Sequence, residues 1–279
     1  MTVTHNQQPK IALINDLTGF GKCSIAVQLP VISVLGIQCC PMPTSVFSNH
    51  TAYDSFFYTD YTKHMNPFAA EWKKLDLQFE GICTGFLGSA QQISIVSDFI
   101  SEFKNDRTVV VIDPVMGDNG EKYSTYTYKM CRLMKKLICY ADIITPNLTE
   151  ACILTDTEYH NGKWKISDIE KMAQKLSSFG PSKIVITGIN QGQYVANFCF
   201  EQGKSHKILR THRIDHARFG TGDIFSAIIA ADAVNKVPFE LSVRKASNFI
   251  KKCIIRSAEL EMPITDGVAF EDFLHTLKR

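Results

Sequence analysis

Short apolar runs alternate along this chain with longer segments of helical period, and that alternation limits the fold more than any other feature. The runs are Lys10–Asn15, Ile37–Met42, Gly81–Thr84, Val109–Ile112, Ile143–Thr145 and Lys183–Thr187. Val109–Ile112 is an unbroken β-branched stretch, as expected of a strand buried on both faces. Between the runs, apolar spacing predicts helices over Cys23–Leu35, Asn66–Lys74, Gln91–Phe103 and Tyr126–Ile138. Pro30 should bend the first of these, because it has no N–H to donate. Ser167 and Glu170 stand three apart, a capping-box pattern that starts a helix running to about Ser178. Two more polar strands, near Tyr194–Phe200 and His206–Arg210, read as a hairpin towards a sheet edge. Helices follow over Gly222–Val234, Phe239–Ser257 and Glu271–Leu277. Such alternation predicts the α/β class, with a mostly parallel central sheet covered by helices on both faces. No linker or internal repeat divides residues 1–279, so a single domain is expected.

Composition narrows the function classes. With 279 residues, 45% of them hydrophobic, the chain can bury a substantial core. A net charge of +2 argues against a nucleic-acid platform. The basic cluster Arg244, Lys245, Lys251, Lys252 and Arg256 reads instead as a solvated helix face. No apolar run approaches the roughly 20 residues that span a bilayer, and the first ten residues lack the apolar segment of a signal peptide. A cytoplasmic protein with no membrane partner is expected. The nine cysteines form no C-x-x-C pair and are expected to be reduced, mostly buried thiols. His212 and His216 stand four apart, but the residues between them do not read as a helix, so no metal site is expected there.

The polar motifs follow the strands. Asn15-Asp16, Thr84-Gly85, Asp113-Pro114 with Gly117-Asp118, Thr145-Pro146-Asn147 with Glu150, and Thr187-Gly188 each trail an apolar run. Ligands of open α/β sheets bind outside the carboxyl ends of the strands. In a parallel sheet these groups therefore converge on one edge. The sharpest motif is Gly220-Thr221-Gly222-Asp223, at the start of a helix. Its glycines let successive N–H groups turn towards an anion, and the helix dipole adds positive potential. Asp223 is then placed to take a proton from an attacking hydroxyl. An anion cradle beside a carboxylate is what phosphoryl transfer asks of a protein. Taken alone, the motif could equally be a helix cap with a favourably placed acid. Asp113, Asp118 and Glu150 could hold Mg²⁺, which prefers oxygen ligands. The alternative reading is of turn-forming aspartates and a solvated glutamate. Thr18–Cys23 looks like a phosphate loop but lacks its first Gly and its hydroxyl residue, and reads as a flexible strand-to-helix turn.

Together, PTSVFSNHTAY (43–53), CTGFLGS (83–89), IDPVMGD (112–118), ADIITPNLTEA (141–151), KIVITG (183–188) and GTGDIFSA (220–227) carry a resemblance. From Lys10 to about Ser257 the chain resembles the ribokinase-like superfamily, and within it the pyridoxal/pyridoxamine kinases. The resemblance implies a three-layer α/β/α fold and ATP-dependent phosphorylation of a B6 vitamer's hydroxymethyl group. It casts Asp223 as catalytic base and Gly220, Thr221 and Gly222 as the anion hole. Thr51, Asp16 and Phe86 would face the vitamer. Asp118, Asn147, Glu150, Thr187 and Gly188 would surround the ATP phosphates and Mg²⁺. It also implies K⁺ as a second cation, a homodimer, a mobile loop over the site in some members, and an edge over the substrate formed near Ile37–Met42 and Tyr53–Phe57. Asp16 stands where many of these kinases have Ser, so its carboxylate could pair with a ring nitrogen or an amine. Phe86 stands where some have Tyr. Hydroxymethylpyrimidine kinases, the nearest alternative, usually carry Cys where this chain has Asp223. A non-catalytic nucleotide- or vitamer-binding protein on the same fold is the alternative of another class.

Overall fold

The computed structural model describes residues 4–214 and 218–278. Its first half contains β1 (Lys10–Phe20), α1 (Ile25–Val34), β2 (Gln38–Asn49), β3 (Tyr58–Asp60), α2 (Thr62–Lys74), β4 (Gly81–Thr84), α3 (Ala90–Phe103) and β5 (Val109–Ile112). Then come the two-residue strands β6 (Gly117–Asp118) and β7 (Glu121–Lys122), α4 (Tyr128–Leu137), β8 (Ile143–Ile144), α5 (Leu148–Thr155) and α6 (Ile166–Ser177). The chain closes with β9 (Lys183–Gln191), β10 (Tyr194–Glu201), β11 (Lys207–His212), α7 (Thr221–Val234) and α8 (Phe239–Glu259).

One sheet takes nine of these strands in the order β11-β10-β9-β8-β5-β4-β1-β2-β3. From β9 to β2 every neighbouring pair is parallel. The antiparallel strands lie at the edges, β10 and β11 at one and β3 at the other. Successive side chains of a strand point to opposite faces, and the core divides accordingly. Ala12, Ile14, Val110, Ile112, Ile144, Ile184 and Ile186 pack with residues of α2 to α6. Ile11, Leu13, Val111, Ile143 and Val185 pack with α1, α7 and α8. The result is the expected three-layer α/β/α arrangement. Among the described residues no helix is long and apolar enough to cross a membrane, and all nine cysteines are unpaired.

Several local expectations are corrected. The strand-to-helix turn expected over Thr18–Cys23 begins only after residue 20: β1 runs on to Phe20, paired with a lengthened β2 as far as Phe20 beside Asn49. This extension lies partly outside the core, so its apolar residues, Leu17, Phe20 and Val46 among them, form no continuous run. The edge strand is Tyr58–Asp60, paired with Ser45–Phe47, rather than Tyr53–Phe57. Ser167 does not cap α6, whose N-cap is Lys165 with no side-chain bond. The capping box is instead Asn147 with Glu150, and it opens α5, a helix the apolar spacing did not indicate. The last predicted helix is a 3-10 segment. His216 lies outside the described residues.

Candidate active site

At the carboxyl ends of the central strands, β1 slips register between Asn15 and Leu17. Asn15 is 1% exposed, and its amide is used completely. Its Nδ2 donates to Gln28 Oε1 at 2.9 Å and to Asp223 Oδ1 at 3.1 Å. Its Oδ1 accepts from the N–H of Asp16 at 2.9 Å and of Phe86 at 2.7 Å. A Cβ at position 85 would run into this amide, so Gly85 is dictated by Asn15. The motif order drew attention to Asn15-Asp16 but did not reveal Asn15 as the junction of the site.

The Gly220–Asp223 motif is built as a helix start. Gly220 is the N-cap of α7, at φ 77°, and no side chain caps the helix. The first N–H groups of α7 are thus free of a local cap and available to an anion. Opposite them, Ser24 donates its backbone N–H to Asp223 Oδ2 at 2.9 Å. Gln28 Nε2 donates to Ser226 Oγ, which donates to the Asp223 carbonyl, closing the network from below. Burial raises the Asp223 pKa to about 6, the Ser24 N–H opposes this, and the charge of Asp16 adds to it. At neutral pH Asp223 is therefore ionised yet basic enough to accept a proton. Cys23, beside it, is pushed up to about 12 by burial and by the charges of Asp223 and Asp16, which leaves an unreactive thiol.

On the other side of Asp223 stand the acidic groups. Asp113 is buried, accepts from Thr145 Oγ1 at 3.0 Å, and is pushed up to about 8 by burial and by Asp223. Glu150 is 4% exposed, so it is not a solvated first-turn glutamate. Its carboxylate accepts from Met116 N–H at 3.1 Å and Asn147 N–H at 2.8 Å, tying the segment after β5 to the start of α5. Burial, then Asp113, and later Asp118 hold its pKa well above the usual carboxylate range. Asn147 also donates Nδ2 to the Gly117 carbonyl at 2.8 Å and bridges to Thr187. Asp118 is exposed in β6, and Gly188, at φ 72°, borders open space. Among the described residues no three His, Cys, Asp or Glu side chains gather tightly enough to hold a metal alone. Asp113, Asp118 and Glu150 nonetheless suit a hydrated divalent cation shared with phosphates, whose charge would offset the repulsion that Asp113 and Asp118 exert on Glu150.

The remaining wall comes from Phe86 and the 48–51 turn. Phe86 is fixed at both backbone ends, by Asn15 and by Thr44 Oγ1, which donates to its carbonyl at 3.0 Å. Thr51 is exposed at the turn. His50, before it, accepts the Ala52 N–H at Nδ1, so Nε2 carries the proton that goes to the Thr265 carbonyl at 2.7 Å. Its ring stacks on Phe219, 4.3 Å between centroids. Tyr53 donates to Asp266 at 2.8 Å. A Cβ on Gly21 would strike His50, and one on Gly220 would strike the Lys22 carbonyl. One run of contacts thus links the Thr51 turn, the 21–22 segment and the Gly220 cap. A cavity of about 920 Å³ opens elsewhere, near Lys183, Lys207 and Lys236 at the amino ends of the strands, and none of the candidate site residues lines it. Cavity size therefore does not locate this site; the convergence of polar groups does.

The chain is similar over most of its length to known kinases. A family profile described as phosphomethylpyrimidine kinase matches residues 29–266. A candidate phosphomethylpyrimidine kinase of Bacteroides thetaiotaomicron is 36% identical; its crystal form with pyridoxal superposes with a TM-score of 0.93 over 97% of this chain and 96% of that one. The pyridoxal kinase of Ovis aries is 28% identical over 222 residues, 72% of this chain and 69% of that protein. The hydroxymethylpyrimidine/phosphomethylpyrimidine kinase of Haemophilus influenzae is 29% identical over 188 residues, 65% of this chain and 67% of that protein.

Proposed function

Because the chain belongs to the phosphomethylpyrimidine kinase family, and is thereby an ATP-dependent phosphotransferase acting on a hydroxymethyl group, we propose that its acceptor is a B6 vitamer. Pyridoxal, pyridoxine or pyridoxamine would be phosphorylated on the 5′-hydroxymethyl group. The observation that carries this reading is Asp223, ionisable near neutrality and held at the anion-binding start of α7. Hydroxymethylpyrimidine kinases usually have Cys there. The 36%-identical relative with pyridoxal supports the same choice. The second reading, a hydroxymethylpyrimidine kinase, is favoured by the family description and the Haemophilus relative.

In the proposed mechanism Asp223 accepts the proton of the attacking hydroxyl. The N–H groups at Gly220, Thr221 and Gly222 hold the oxygens of the moving phosphoryl group, where preorganised donors stabilise developing charge. Phe86 and Thr51 face the vitamer. Asn147, Thr187, Gly188 and Asp118 border the nucleotide phosphates. Asp113, Asp118 and Glu150 would hold Mg²⁺, which when bound neutralises phosphate charge. The deciding experiment measures ATP consumption with the three vitamers and hydroxymethylpyrimidine, with K⁺ and with Na⁺. Turnover of a vitamer supports the proposal. Turnover of hydroxymethylpyrimidine alone supports the second reading, and binding without turnover supports a non-catalytic protein.

Metal binding should show in stability. Asp113 and Glu150 have raised folded-state pKa values because ionising them in the fold is costly. As pH falls through the raised values the fold takes up protons that the unfolded chain does not, so stability rises. In EDTA, Tm should therefore rise from pH 8 to pH 6. Mg²⁺ replaces those protons, so its stabilisation should be larger at pH 8 than at pH 6. A Tm gain from Mg²⁺ that does not depend on pH would remove these carboxylates from the metal site.

A homodimer is proposed on the strand extension beyond the core. Leu17, Phe20, Val46, Phe56, Phe57 and Tyr58 are large, apolar and exposed there, Phe57 at 73%. Pairing places Leu17 beside Val46 and Phe47 beside Tyr58. Such grouping marks an interaction surface. Light scattering should give a dimer mass for the wild type and a monomer mass for Phe57→Glu. A monomeric wild type at micromolar concentration would sink this proposal.

A further inference from the structure

The sequence suggests that Asp16 meets the vitamer, but its surroundings are those of a brace. Asp16 is 5% exposed. Its Oδ1 accepts the Ser24 hydroxyl at 2.7 Å, and its Oδ2 accepts the Thr18 hydroxyl at 2.7 Å. Both oxygens are thus engaged within the chain.

Ser24 is the informative partner. It is the N-cap of α1, at φ 57° and ψ −141°, a left-handed backbone that a non-glycine residue adopts only when its surroundings enforce it. A serine at an N-cap ordinarily turns its hydroxyl onto the first-turn N–H groups. Here no side-chain cap bond forms, and the hydroxyl goes to Asp16 instead. The same conformation directs the Ser24 N–H at Asp223 Oδ2. Asn15 holds the other oxygen, and the Asp16 N–H in turn holds the Asn15 amide. Asp16 therefore touches both residues that aim Asp223.

We infer that Asp16 is a positioning residue, which locks Ser24 in the backbone conformation that orients the Asp223 carboxylate, and is not the group that recognises the vitamer. The inference rests on the reading of Asp223 as base. Its consequences separate from those of a substrate contact.

Asp16→Asn can keep both bonds, because its carbonyl accepts from Ser24 and its NH₂ can donate to the Thr18 hydroxyl. Asp16→Ala loses both. For a brace, Asp16→Ala lowers kcat by about 10- to 100-fold, the scale of a small misplacement of reacting groups. The vitamer KM and the ranking of vitamers stay as in wild type, and Asp16→Asn restores most of kcat. Ser24→Ala added to Asp16→Ala has little further effect, since coupled neighbours are not additive. An ionic contact to the vitamer predicts the reverse: Asp16→Asn raises KM and changes the ranking, and that result overturns the inference. Amide exchange at Ser24, followed by NMR without substrate, gives a second readout. Faster exchange in Asp16→Ala than in Asp16→Asn supports the brace, and equal protection in the two overturns it. An inactive wild type would refute the kinase reading by itself, while the exchange experiment would still decide whether Asp16 holds Ser24.

Discussion

Asp223→Asn lowers kcat by about 10²–10⁴-fold, the range for loss of general-base assistance, while ADP affinity and the fold are kept. The substitution removes a charge that burial already disfavours, so the protein should not be much less stable. Asn can still accept the Ser24 N–H. Its new NH₂ would face the Asn15 NH₂, so one of the two bonds to position 223 is lost. The companion measurement is the pH dependence of kcat/KM. A base must be ionised to act, so in wild type the rate falls as pH drops through about 6, where the Asp223 pKa stands. In Asp223→Asn that acid limb should disappear. Wild-type-like turnover in the variant would remove Asp223 from the mechanism. An acid limb retained at reduced rate would transfer the titration to another group.

Gly220→Ala should be the second most damaging change. At φ 77° any side chain is strained, and here a Cβ would also collide with the Lys22 carbonyl. A left-handed non-glycine residue alone costs about 1–3 kcal/mol. For a chain of this size that lowers Tm by roughly 2–12 °C. The collision adds a functional cost. The chain must yield at Lys22, two residues before the Ser24 N–H that holds Asp223, or at the cap that presents N–H groups to phosphate. A further loss of about 10²-fold in kcat is expected. Gly36→Ala is the control, because Gly36 sits at φ 84° with nothing near its would-be Cβ. It should lower Tm through backbone strain and leave kcat alone. Equal kcat in the two variants would show that the Gly220 cap does not serve the reaction.

Where burial and local pattern agree, the sequence is a sufficient guide. β4 and β5 occupy Gly81–Thr84 and Val109–Ile112 as read, because strands covered on both faces must be apolar throughout. The order of the elements implied a parallel sheet, and a parallel sheet carries the residues after its strands to one edge. Asp113, Asn147 and Thr187 could be nominated as neighbours on that basis alone, while Asp223 was nominated by the glycine motif at its helix start. The extension of β1 and β2 was not readable, because strands paired outside the core have no apolar rule to obey. Nor could the pattern choose between two capping boxes. Ser167 with Glu170 and Asn147 with Glu150 are equivalent on paper, and only the second is formed, where tertiary packing buries Glu150 and leaves it the Asn147 and Met116 N–H groups as partners.

The chain by itself determined the class of fold, the edge at which the chemistry sits and the residue types available there. Tertiary structure alone decided which side chains serve the site by holding others. Asn15 meets Asp223 across 208 positions of sequence, and Ser24 meets it across 199. Local propensity and periodicity report on neighbours a few residues apart. Hydrogen bonds that close over such distances exist only once the layers have packed, and it is burial that makes an amide, a hydroxyl or a carboxylate take one partner and no other.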